Sequence, residues 1–211
     1  MEKLVELVFV LDMSGSMSGL EDDTIGGYNS ILKKQREEGN VRVTTTLFNT
    51  ELKMVHDGKD IKDVKPLTSE DYIPHGCTAL YDAIGFTISR VTASQSLLEE
   101  DKKPSKTLMV ITTDGYENSS REFTKKSVKA LIEAKKACGW EFLFLGANID
   151  AAETAEGFGI SKDYSASYVS DHRGTRTMYC CIERTVDELK TTGKVKKDWK
   201  RVLEKDAEEN K

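Results

Sequence analysis

The stretch VFVLDMSGSMSG, residues 8–19, decides how this chain is read. Val8 to Leu11 form an apolar run that ends abruptly at Asp12, and Ser14 and Ser16 follow at alternate positions. With its upstream flank the run reads LVELVFVL, residues 4–11, which predicts a strand buried on both faces, as in a parallel sheet. Such a strand delivers three hard oxygen donors, Asp12, Ser14 and Ser16, to the end of the sheet. In D-x-S-x-S, alternate residues of a tight turn point to one centre, and Gly15 and Gly19 relieve the backbone. Carboxylate and hydroxyl oxygens suit a hard cation such as Mg²⁺, which takes six oxygens at about 2.0–2.1 Å and usually keeps several waters.

Outward from this stretch, apolar runs and helical patterns alternate. Ile25, Tyr28, Ile31 and Leu32 recur at helical spacing. VRVTTTLF is followed at once by ELKMVHDG, which predicts a hairpin and an antiparallel edge strand. Leu80, Ala83, Ile84, Thr87, Ile88 and Val91 mark a second helix, and TLMVITTDG repeats the opening pattern of an apolar strand ending in a polar loop. A helix through Val128, Leu131 and Ile132, the strand in CGWEFLFLGAN and a short helix in AAETAEGFGI follow. Residues 162–170 carry a weak strand pattern, and Thr175 to Leu189 a helical one. The expectation is an open, mostly parallel α/β sheet with one antiparallel edge strand and helices on both faces. Residues 1–190 form the domain, and 191–211 a charged helical extension around Trp199, Val202 and Leu203.

In such sheets ligands bind beyond the carboxyl ends of the strands, where the loops after Leu11 and Thr113 both lie. Asp114 stands in the second loop, and GCTALYDAIG brings Thr78 to the mouth of a helix. Each feature alone has an ordinary explanation. D-x-S-x-S can be a polar strand-to-helix turn, Thr78 a helix cap, and Asp114-Gly115 a simple turn. None of these explains why the loops fall at the same end of the sheet.

DMSGSM, GCTALYDAI and ITTDGYEN, in that order, resemble the metal-ion-dependent adhesion site of von Willebrand factor A domains. Asp12, Ser14 and Ser16 match its D-x-S-x-S, Thr78 its lone threonine and Asp114 its second aspartate. The resemblance covers roughly residues 3–170, and FLFLGANIDAAETA looks like the bacterial cytosolic members. It implies a Rossmann-like fold and a bound Mg²⁺ or Mn²⁺, with the serines and threonine in direct contact and the aspartates often acting through water. It also implies a protein partner whose carboxylate completes the octahedron. Cys77 departs from the pattern, where a second glycine is common, and Tyr116 and Glu117 alter the rim.

Other chemistries fit less well. A haloacid-dehalogenase-like phosphohydrolase needs a second carboxylate two residues after the first, where this chain has Ser14. There is no P-loop lysine in GSMSG and no G-x-G-x-x-G after the first strand. A site in which the metal only stabilises the loops stays open. Acidic residues outnumber basic ones by 36 to 31, so nucleic acid has no broad electrostatic footprint to meet. No apolar run approaches the roughly 20 residues that span a bilayer, and the first residues read as a strand rather than a signal peptide. Cys77, Cys138, Cys180 and Cys181 lack zinc-site spacing and are expected as reduced thiols in a cytoplasmic protein. His56, His75 and His172 are isolated and are expected at the surface or as caps.

Overall fold

The structure, a computed structural model, describes residues 4–209, so the parts of the expected domain and extension at 1–3 and 210–211 lie outside the described residues. Six strands form one sheet: β1 Val5–Asp12, β2 Val41–Phe48, β3 Leu52–Asp60, β4 Lys106–Thr113, β5 Glu141–Gly146 and β6 Ser165–Ser167. Their order is β3-β2-β1-β4-β5-β6, and every neighbouring pair is parallel except the β2–β3 hairpin. The helices are α1 Glu21–Glu38, α2 Leu80–Ser96, α3 Lys125–Ala137, α4 Ala151–Gly157, α5 His172–Thr192 and α6 Arg201–Glu209. Among the described residues no helix is long and apolar enough to cross a membrane.

The apolar run of β1 needs both faces covered, and it has them. Leu7, Phe9 and Leu11 share one core with Tyr28 and Ile31 of α1 and Ile182 and Val186 of α5. Val8 and Val10 share the other with Ile84 and Ile88 of α2 and Val128 and Ile132 of α3. Period-2 alternation in a strand thus feeds two helical layers from one uninterrupted apolar sequence. Glu6 is the exception in this run. It is fully buried and held by Gln95 Nε2 at 2.9 Å, Thr44 Oγ1 at 3.1 Å and Arg42 Nε at 3.7 Å. That network satisfies a carboxylate whose burial the sequence pattern does not announce.

The C-terminal segment closes the α1–α5 layer: Val195, Trp199 and Leu203 join its core, and Trp199 Nε1 donates to Asp163 O at 2.9 Å. Val202 of the same stripe is 46% exposed, so only part of it docks. The weakly patterned region 162–170 supplies the three-residue β6, paired to β5 through Phe144–Ser165 and its successors.

The chain leaves β1 through α1 on one face and β4 through α3 on the other. Loops diverging from adjacent parallel strands open a crevice at their carboxyl ends, the topological switch point of such a sheet. Asp12 ends β1 and Asp114 directly follows β4.

Candidate metal centre

Parallel register sets Leu11 beside Thr112, which puts the last residues of the two strands side by side. Asp12 is therefore anchored on both oxygens: Oδ1 accepts from Ser14 N at 2.7 Å and Oδ2 from Thr113 Oγ1 at 2.6 Å. A 3-10 turn at Gly15–Met17 curls the chain so that Ser14 Oγ and Ser16 Oγ lie 3.1 Å apart. Ser16 Oγ donates to Asp114 Oδ1 at 2.5 Å, and Ser170 Oγ reaches Asp114 Oδ2 at 3.5 Å. A methyl group on Gly115 would stand 3.7 Å from Thr78 Oγ1 and 3.9 Å from Ser16 Oγ, so the threonine hydroxyl faces the same cluster. All five residues named from the sequence converge. Asp12, Ser14, Thr78 and Asp114 are buried, while Ser16 lies at the open side.

The residues around the cluster fix its loops. Tyr72 OH donates to Asp12 O at 2.5 Å, and Thr78 exchanges bonds with Asn118, accepting through its carbonyl at 3.1 Å and donating its N–H to Oδ1 at 2.9 Å. Gly15 N donates to Gly76 O at 3.1 Å, and Gly76 has φ +72°, where an added Cβ would meet Thr50 Oγ1 at 2.8 Å. Gly76, rather than Gly15, is the glycine that this contact requires, because a Cβ on Gly15 would find only ordinary contacts. Glu117 is partly buried and does more than alter the rim. Its carboxylate accepts from Tyr81 N at 2.9 Å, Ser119 N at 2.8 Å and Ser120 N at 2.7 Å, bracing its own loop against the start of α2. Tyr116 does stand at the rim, 60% exposed, and Cys77 is exposed beside Thr78. Of the isolated histidines, His56 departs from expectation: it is buried in β3, stacked on Tyr28 and bonded to its hydroxyl at 3.1 Å. His172 bonds Asp23 across α1 and α5, and His75 holds the loop before Thr78 through Ile73 O at 2.7 Å.

Among the described residues neither Asp12 nor Asp114 has a cationic side chain as partner. Burial pushes the Asp12 carboxyl above its ordinary value, against the opposing bonds from Thr113 and Ser14, and the Asp114 charge adds to the rise. Burial likewise raises Asp114, against its bonds from Ser16 and Ser170. Two buried carboxylates without a counter-charge are costly, and a divalent cation removes that cost. The donor set fits such an ion. Neighbouring oxygens of an octahedron with bonds of about 2.0–2.1 Å lie about 2.9 Å apart, close to the Ser14–Ser16 spacing. No cluster of three or more His, Cys, Asp or Glu side chains able to hold a metal occurs among the described residues.

No family model matches the chain, and no curated protein does. Solved structures do match. The von Willebrand factor domain of the type V pili tip protein Mfa5 from Porphyromonas gingivalis superimposes with a TM-score of 0.66 at 11% identity, covering 93% of this chain and 99% of that one. The PilB minor pilin from Streptococcus sanguinis gives 0.66 at 13% identity over 89% of this chain and 62% of its own, so the chain spans about three-fifths of that protein. The manganese-loaded TRAP protein of Plasmodium vivax gives 0.58 at 14% identity, over 83% and 72%. At these identities the likeness is one of fold, and that fold is the Rossmann-like von Willebrand factor A domain.

Proposed function

We propose that this chain is a metal-dependent protein-binding module rather than an enzyme. In this reading Asp12, Ser14, Ser16, Thr78 and Asp114 hold Mg²⁺ or Mn²⁺, and an acidic side chain of a protein partner completes the shell. The observation that carries the reading is the pair of buried, uncompensated carboxylates bracketing three hydroxyls at the switch point of the sheet. The hydroxyls are neutral, so two carboxylates offset the ion's charge without saturating it, and the bound cation supplies a Lewis-acidic position for an incoming carboxylate. In this reading the carboxylate enters beside Ser16, which is exposed at the open side.

The TRAP structure is described as manganese-loaded, and the pilin and pilus-tip proteins share the fold. These likenesses support the reading without extending to partner or compartment. We place the protein in the cytoplasm of a bacterium, which the four unpaired thiols, three of them exposed, support. We also propose that residues 191–211 are an extension of the domain, a reading supported for its described part by the packing of Trp199 and Leu203 in the α1–α5 core. Capture of partners from native cytosol in Mg²⁺ and in EDTA tests the function, followed by changing the partner's Asp or Glu to Asn or Gln. Most of the affinity should vanish in EDTA and with the amide. A partner that binds equally in EDTA, or that needs no acidic residue, overturns it.

A further inference from the structure

Beside the candidate metal loop lies a second cavity, of about 180 Å³, formed where the loop after β1 meets the hairpin and the 70–75 segment. Met13, between Asp12 and Ser14, forms part of its wall, and the wall is pinned to the metal loop: Ile73 N donates to Met13 Sδ at 3.3 Å and His75 N to Met13 O at 3.0 Å. Met13, Leu52 and Ile73 make an apolar lining, and Ile73 is 56% exposed. Two exposed carboxylates, Glu51 and Glu70, stand at its edge without an ion-pair partner among the described residues, whereas Asp71 is paired with Lys53 at 3.2 Å. An apolar trough with an excess of negative charge at its mouth complements one kind of side chain: a long aliphatic stem ending in a cation.

We propose that this cavity seats a lysine or arginine side chain of the same partner that supplies the carboxylate, so that the surface recognises an acidic and a basic residue together. The proposal rests on the metal-dependent reading for its acidic half and on the cavity alone for its basic half. Met13 belongs to both features, so the two positions are adjacent on the surface and within reach of one short peptide, which extends by about 3.3–3.6 Å per residue.

The two halves are tested apart on the full chain by amide chemical shifts. In EDTA, n-butylguanidinium should cause saturable shifts at Met13, Leu52 and Ile73, and neutral n-butylurea should not. The doubly substituted Glu51→Gln, Glu70→Gln protein should bind the guanidinium about fivefold more weakly. Acetate with Mg²⁺, read at Ser14, Ser16 and Thr78, tests the metal reading separately, and its failure would sink that reading whatever the guanidinium does. Alanine peptides carrying one Arg and one Asp at varied separation then join the halves. In Mg²⁺ at least one separation should outbind both the Arg-only and the Asp-only peptide by about tenfold. The proposal is overturned if no saturable shift occurs at the cavity, if butylurea or the double variant binds as the guanidinium binds wild type, or if no separation exceeds the single-charge peptides.

Discussion

Asp12 is where stability and the proposed function pull in opposite directions. Its folded-state carboxyl is held above its ordinary value by burial, so its ionisation opposes folding once the pH rises through the ordinary carboxylate range. Asp12→Asn keeps the side-chain shape and removes that charge. In EDTA at neutral pH it should melt at or above the wild-type temperature. In Mg²⁺ at about one hundred times the wild-type Kd the wild type should gain about 2.7 kcal/mol and Asp12→Asn about 1.4 kcal/mol or less. Metal affinity should fall on acidification, beginning above the ordinary carboxylate range because both Asp12 and Asp114 are held up by burial. Calorimetric titrations between pH 7 and 4 read this directly. Thr113 is a residue that the sequence pattern passed over, since it reads only as the last position of an apolar strand. Its bond to Asp12 depends on the register between β1 and β4, a long-range quantity that no local spacing reveals. Thr113→Val should weaken metal binding by about tenfold while leaving the fold intact, measured by the same titration.

Among elements, what is legible is what periodicity encodes. The two-faced burial of β1, the hairpin of β2 and β3 and the helical stripes through Tyr28 and Ile84 follow from local pattern, because one residue in two or in three to four must meet a core. The three residues of β6 carry too little pattern to stand out, and Glu6 is hidden because its partners come from β2 and α2. The packing of α1 on α5 is equally invisible locally. Gly27 lies so close to Tyr179 that an added Cβ would sit 2.6 Å or less from the base of that ring, where the side chain cannot swing away. Gly27→Ala should cost about 1–3 kcal/mol in urea unfolding. Asp23 ties the same helices together through His172 at 2.5 Å and Arg176 at 2.6 Å. Burial pushes its carboxyl up, but these bonds outweigh burial and hold it below the ordinary value. Its contribution is therefore present at neutral pH and lost as the pH falls through the depressed value. Asp23→Asn should cost about 1 kcal/mol at pH 7 and progressively less as the pH falls through the depressed value, compared by urea midpoints.

At the scale of the whole molecule, the three ordered motifs meet at one crevice because parallel β1 and β4 end at the same edge and the segment after antiparallel β3 returns to it, held on the β1 loop through His75 N to Met13 O and Gly15 N to Gly76 O. What they do not convey is the environment of side chains far from the motifs. His56, isolated in sequence, lies buried under α1 against Tyr28, and burial lowers its imidazole below the ordinary value. Unfolded chains then take up a proton that the folded protein resists, so stability should decline as the pH falls below about 6.5 and level off below the folded value. His56→Gln should flatten that decline between pH 7 and 5, seen in unfolding midpoints. The central claim, that the crevice is a cation site open to a carboxylate, is tested most directly by calorimetric titration of Mg²⁺ and Mn²⁺ into the metal-free protein and into Asp12→Asn. The account predicts one ion per wild-type chain and binding weakened by about tenfold or more in the variant. Equal binding by the two proteins, or none by the wild type, would contradict it.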